Sequence, residues 1–432
     1  MSRRLGLGCA AMLAAALGLA GVTAPAAQAD AAITSQWYTG PSGIDELRAQ
    51  GLDGSGVTIA VIDGKADPNA PELRGIDYTV KDFCNEPQDA DDQTHANNVI
   101  AILANQHYGW APKAKIINYV SPTKPEAKIN KQCRQSRAHR LSFLVHKAID
   151  DGADIITIQQ GGETGIAYAT ARASQHGIPV VASAGNTGLE RNSTSSHNGI
   201  VSVGANDQQG KRAAFSSWSA GLTIMAPGTG IKVRTAAGAV TEEHGTSYST
   251  PMVSGALALA KQRWPKATGN QLIESLIKTA QGTGRWEQQT GWGSLDAKAL
   301  VAADPAGYPD KNPLEGKNPG VFPSAKEIQD YHDGLLEFSA VGDDPEYVYR
   351  GKDQIMCNSR PERCELGTSP RFRTPSPTPA TSPSPSASGT ASPAPADGSA
   401  SSVPIVVGAI VVLLAAAGAW FIARRRGSSP PR

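Results

Sequence analysis

The sequence predicts an α/β domain whose mostly parallel sheet is covered by helices on both faces, followed by a C-terminal transmembrane helix. Three observations predict this. Short apolar, β-branched runs alternate with longer helix-like stretches from Asp30 to about Ala303. Those runs are too short for helices and read as buried strands. A separate uncharged apolar run, Val403 to Ala423, is long enough to cross a bilayer and stops at Arg424-Arg425-Arg426.

The elements follow in order. Met1 to Arg4 is a basic start, Leu5 to about Ala20 is apolar, and Ala27-Gln28-Ala29 is a small-residue cleavage signal. Residues 1–29 therefore read as a secretory signal peptide, and Cys9 leaves with it. Gly43 to Gln50 is helix-like. Val57 to Ile62 is a buried strand, Val99 to Leu103 a helix after a polar turn, and Lys115 to Val120 a strand. Leu141 to Gly152 reads as an amphipathic helix, Asp154 to Ile158 as a strand, and Gly165 to His176 as a helix. Ile178 to Ala182 and Ile200 to Val203 are strands, and Ser249 to Arg263 and Gly269 to Thr279 are helices. Residues 304–373, charged and rich in Pro and Gly, read as a loosely structured extension packed on this domain. Residues 374–402 are almost all Pro, Ser, Thr, Ala and Gly, a semi-stiff spacer that cannot bury a core.

The arginines after Ala423 place residues 424–432 in the cytoplasm and the folded part outside, with Trp420 and Phe421 at the interface. The expected location is thus a cell membrane, crossed once. Lys+Arg (40) and Asp+Glu (39) nearly cancel, so no global field selects nucleic acid as a partner. Four cysteines remain after cleavage: Cys84, Cys133, Cys357 and Cys364. An even count in an exported chain indicates disulfides with three connectivities, of which Cys84–Cys133 with Cys357–Cys364 is the local one. Their spacing is not that of a zinc site.

Three segments carry chemistry. Val61-Ile62-Asp63-Gly64 puts a carboxylate directly after a buried strand. Thr94-His95-Ala96-Asn97-Asn98-Val99 puts a histidine at the start of a helix. Gly245-Thr246-Ser247-Tyr248-Ser249-Thr250-Pro251 puts a serine in a Gly-led turn with a helix running on from it. The order Asp, His, Ser is one of the known orders of a serine-protease triad.

With these residues the chain resembles the subtilisin-like serine proteases, the subtilases. Gly245 to Gly255 resembles the family's nucleophile motif, and Val181 to Asn186 its oxyanion-asparagine segment. Trp110-Ala111-Pro112 resembles the turn after the histidine helix, and Gly291 to Ala297 the segment that closes the domain. The resemblance covers about Gln36 to Ala303. It implies a three-layer subtilisin-like fold and a serine-type endopeptidase acting on polypeptide. In that reading Ser247 is the nucleophile, His95 its base, Asp63 the group that orients His95, and Asn186 the oxyanion donor.

The histidine segment departs from the family pattern His-Gly-Thr-His-Val-Ala-Gly, and two placements stand. With His95 as the first histidine, Ala96 and Asn97 replace Gly and Thr, and Val99 to Leu103 fall on the apolar stretch. With His95 as the second, Asp92 takes the catalytic position and the enzyme is dead. The second puts Asn97 and Asn98 at core positions, where an unpaired amide is costly, so the first is preferred. Ala in place of Gly is harmless wherever φ is negative.

Gln159-Gln160-Gly161 occupies the edge that pairs with extended substrate in the family, where Ser and an apolar residue are usual. Two glutamines there narrow the cleft and alter specificity, or block it. Lys65 follows Asp63-Gly64 and brings a cation close to the triad. Asp89-Ala90-Asp91-Asp92 lacks the spacing of a calcium loop and reads as a solvated acidic turn, so neither metal nor cofactor is expected. The other histidines show no ligand spacing.

Only a short extension separates Ala29 from Asp63, against the longer inhibitory segment of many subtilases. Signal peptide, subtilase domain, Pro-rich linker and anchor together resemble the mycosins, membrane-anchored subtilases of type VII secretion. That likeness implies a secretion-system partner. A second class of function follows from the altered histidine segment: a catalytically impaired subtilase fold that serves as scaffold or peptide-binding subunit. The intact serine motif favours the enzyme.

Overall fold

The computed structural model describes residues 32–123, 126–161, 165–190, 194–318, 322–341 and 343–368. The chain divides into one unit up to Arg373 and another from Thr374. The signal peptide (1–29), spacer (374–402), transmembrane helix (403–423) and tail (424–432) lie outside the described residues. Among the described residues no helix is long and apolar enough to cross a membrane.

In chain order the elements begin with α1 (Ile44–Ala49), β1 (Thr58–Asp63), β2 (Tyr78–Lys81), α2 (Ala90–Ala104), β3 (Lys115–Val120), α3 (Lys131–Ser136) and α4 (Leu141–Asp150). Then come β4 (Ile155–Ile158), α5 (Ala167–Gln175), β5 (Val180–Ser183), β6 (Ile200–Asn206), β7 (Leu222–Pro227), β8 (Ile231–Arg234) and β9 (Val240–Glu243). Helices α6 (Thr246–Arg263), α7 (Gly269–Lys278), α8 (Ala297–Ala302), α9 (Ala325–Asp333) and α10 (Gln354–Asn358) complete it.

Seven parallel strands form one sheet in the order β2-β3-β1-β4-β5-β6-β7. Along β1, Ile59 and Val61 join one core, with α2 and α6, while Ala60 and Ile62 join the other, with α4 and α5. Period-two side chains buried on both faces are why the strand reads as a continuous apolar run. The expected three layers are therefore present. Strands β8 and β9 form a separate antiparallel hairpin.

The structure corrects three expectations. Helix α2 begins at Ala90, so His95 lies in its second turn rather than at its start. The first turns are polar because they border the open end of the sheet, and Asp91 and Asp92 suit a helix N-terminus. Helix α6 starts at Thr246, three residues before the expected Ser249, and contains Pro251. Residues 304–368 are well structured where described. Tyr331 stacks on Tyr347 with centroids 5.5 Å apart, inside a small core with Val341 and Tyr349. Arg137 pairs with Asp343 at 2.7 Å, fixing this extension to the main domain. Charge and proline content hid a core built from a few aromatic side chains. Cys84 pairs with Cys133 (Cα–Cα 4.9 Å) and Cys357 with Cys364 (5.5 Å), the local connectivity.

Candidate active site

The carboxyl ends of the parallel strands hold the predicted residues, as open α/β sheets lead one to expect. Asp63 ends β1 and is 2 % exposed. Its backbone carbonyl accepts from Ser121 N at 2.8 Å, which continues the pairing with β3. A side chain on Gly64 would run into the backbone carbonyl of Asp92, so glycine lets β1 approach α2 closely.

His95 stands between the other two residues. Its Nδ1 is 2.9 Å from Asp63 Oδ2, and its Nε2 is 2.9 Å from Ser247 Oγ. The imidazole is 32 % exposed, open on one side, while the carboxylate beneath it is sealed. Burial pushes the imidazole pKa down, but the charge and hydrogen bond of Asp63, with a smaller pull from Asp92, leave it above the ordinary 6.5. Tyr248 covers one side of the ring, with centroids 5.7 Å apart.

Asp92 touches neither Asp63 nor Ser247; it accepts a hydrogen bond from Thr123 Oγ1. Asn97 accepts from Asp67 N at 2.8 Å. Asn98 is buried but fully used: its Nδ2 donates to Arg234 O at 2.8 Å and its Oδ1 accepts from Arg234 N at 3.1 Å. Ala96 is buried and has no positive φ, so it fills a glycine position without strain.

Ser247 is the second residue of α6 and is 8 % exposed. Backbone N–H groups at a helix start lack intrahelical acceptors and carry the positive end of the helix dipole. Asn186 follows β5. Its Oδ1 accepts from Thr246 N at 2.9 Å and from Thr246 Oγ1 at 3.0 Å. Thr246 Oγ1 in turn accepts from Gly185 N at 3.1 Å. A methyl placed on Gly245 would lie 3.2 Å from Ser247 Oγ and 3.5 Å from Asn186 Nδ2. Hydroxyl and amide thus border the same small space, which glycine keeps open.

The two glutamines after β4 are hydrogen-bonded back into the fold. Gln160 folds back onto β3: its Oε1 accepts from Ser121 Oγ at 2.9 Å and its Nε2 donates to Ser121 O at 3.2 Å. Gln159 is buried, with Nε2 donating to Thr157 Oγ1 at 3.0 Å. Gly161 is exposed at the end of this segment. Lys65 is drawn off by Asp82, 3.0 Å away. Among the described residues no group of three or more His, Cys, Asp or Glu is arranged to hold a metal ion.

One contributor escaped the sequence reading. Asn118, inside β3, accepts from Ala66 N at 3.0 Å and donates to Gly64 O at 3.1 Å. It fixes the turn that leaves Asp63. A lone amide in the apolar run Ile116-Ile117-Asn118-Tyr119-Val120 was its visible signal.

The profile of the subtilase family, peptidase S8, matches residues 54–293. The chain belongs to this family. Subtilisin from Bacillus pumilus is 32% identical over 261 residues, which cover 56% of this chain and 91% of that protein. Subtilisin E from Bacillus subtilis (strain 168) is also 32% identical over 261 residues, and there the match spans 66% of the relative's length, just under two thirds. Among solved structures of subtilase likeness, the MycP3 protease from the type VII (ESX-3) secretion system is 25% identical. Its TM-score is 0.51, with 62% of this chain and 88% of MycP3 covered. MycP1 from the ESX-1 type VII secretion system, 22% identical with a TM-score of 0.54, shares the fold over 65% of this chain and 90% of its own.

Proposed function

We propose that this subtilase is an exported, membrane-anchored serine endopeptidase. Ser247 Oγ attacks the scissile carbonyl carbon while His95 Nε2 takes its proton. Asp63 holds the imidazole in the tautomer whose Nε2 is free to accept, and stabilises the imidazolium that forms. Asn186 Nδ2 and the backbone N–H of Ser247 donate to the oxyanion of the tetrahedral intermediate. As the intermediate collapses, the C–N bond breaks and His95 gives its proton to the leaving amine. A water then attacks the acyl-enzyme, His95 takes a proton from it, and the proton returns to Ser247 as the carboxylate product leaves.

The observation that carries this reading is the unbroken path from Asp63 Oδ2 through His95 to Ser247 Oγ, with both contacts at 2.9 Å. Extended polypeptide lies along Gln159, Gln160 and Gly161 by β-augmentation. Anchoring rests on the apolar run from Val403 to Ala423 and the arginines after it. Association with a type VII-like secretion system rests on the likeness to MycP3.

The test is labelling of the purified full-length chain with a fluorophosphonate, alongside Ser247→Ala and His95→Ala. Labelling of the wild type that both substitutions abolish is expected. A folded wild-type chain that takes no label refutes the enzyme and leaves the scaffold reading.

A further inference from the structure

Lys317 is a half-buried lysine for whose amino group the proposed chemistry has no use. It belongs to the extension, and its stem lies beside a cleft of about 480 Å³ that Leu222, Trp286 and Trp292 help to line. Its amino group points inward. Nζ donates to Ser195 O at 2.8 Å, to Ile200 O at 2.5 Å and to Gly221 O at 2.7 Å. The three carbonyls come from separate places: a short 3-10 turn (Thr194–Ser196), the first residue of β6, and the residue before β7. An ammonium has three N–H donors, and here each has one oxygen.

Three carbonyl dipoles aimed at one point repel one another and favour a positive charge at their focus. Backbone oxygens converging in this way are the ligands hard cations take. Burial alone pushes the Lys317 pKa well below that of a free lysine. The carbonyls act in the opposite direction, by hydrogen-bonding the charged form. The residues around Lys317 are sewn to the same turn. Gly199 N donates to Leu314 O, and Asn312 Nδ2 donates to Gly199 O, both at 2.8 Å. Asn318 N donates to Asn198 Oδ1 at 2.9 Å, and Asn318 Nδ2 to Ser196 O at 3.2 Å.

We propose that the carbonyls of Ser195, Ile200 and Gly221 form a cation site that the chain fills with its own Lys317. Residues 312–318 thereby hold the 194–200 turn in place without a metal ion. That turn packs against β5 and β6, close in the chain to the segment carrying Asn186. Removing the whole side chain empties the focus and leaves the cleft as a route for an inorganic cation.

The experiment is thermal unfolding of the full-length chain in detergent, in KCl, NaCl, CaCl2 or choline chloride at matched ionic strength. Wild type is expected to melt at the same temperature in all four. Lys317→Ala is expected to melt about 5 °C or more lower in choline, and to recover saturably in at least one inorganic salt. Lys317→Met is expected to fall without recovering, because its stem still fills the route. An alanine variant that no inorganic cation restores, or that matches wild type in choline, overturns the proposal. So does saturable stabilisation of wild type by any of these cations. Nitrogen-15 lysine spectra of the wild type decide independently of any variant's folding. An ammonium at Lys317 at neutral pH is expected, and a neutral amine overturns the proposal.

Discussion

In the proposed chemistry Asn186 has two separable tasks, and two substitutions pull them apart. Its Oδ1 accepts from Thr246 N and Thr246 Oγ1 at 2.9 and 3.0 Å, which fixes the start of α6. Its Nδ2 borders the space beside Ser247 Oγ. Asn186→Ala removes both, costing about 1 kcal/mol of stability for each hydrogen bond lost and the oxyanion donor besides. Asn186→Asp keeps an acceptor toward Thr246 and places a negative charge at a helix N-terminus, worth about 0.3–1 kcal/mol in favour of the fold. It replaces the donor with an oxygen that repels the developing oxyanion. Loss of one such donor costs about 10²–10³ in rate, or about 2.7–4 kcal/mol of transition-state stabilisation. Asn186→Asp should therefore melt at or above the wild-type temperature yet label with fluorophosphonate at least about 100-fold more slowly. Asn186→Ala should be slow and also about 1–2 kcal/mol less stable. Second-order labelling rates and denaturant unfolding measure the two effects. An aspartate variant that labels at the wild-type rate refutes the oxyanion role.

Two further outcomes are expected. In the proposed chemistry His95 must be neutral to accept a proton, and Asp63 and Asp92 hold its pKa above 6.5. The labelling rate should thus rise with pH through a midpoint above that value, and Asp92→Asn should move the midpoint down; an unmoved midpoint removes Asp92 from the account. Asn118→Ala should cost about 2–4 kcal/mol, because it strips buried partners from Ala66 N and Gly64 O. Denaturant unfolding measures this, and a loss under about 1 kcal/mol contradicts the assigned role.

Much of the candidate active end was legible in the sequence because its residue types are chemically constrained. A carboxylate at the end of an apolar strand is conspicuous, since burying charge is costly. Ser247 and Asn186 sit in segments whose backbone must take one shape, and the family resemblance marks both. Strands β1, β3, β4, β5 and β6 were legible because burial on both faces leaves a continuous apolar run. Strand β2, half-exposed at the sheet edge, and the exposed strand β9 left no such trace.

By itself, the amino-acid sequence determined the α/β class, the order Asp63, His95, Ser247, and the family likeness. These are local matters of periodicity and of which side chains stand next to which turns. Tertiary structure decided what depends on partners distant in the chain. It set His95 rather than Asp92 between Asp63 and Ser247, across 32 and 152 residues of sequence. It satisfied the buried amide of Asn98 with the backbone of Arg234, 136 residues away. It turned Gln160 back onto Ser121, and it brought Lys317 to three carbonyls up to 122 residues distant. A buried polar group is stable only when its partner is present. That partner is set by packing, and sequence spacing carries no record of it.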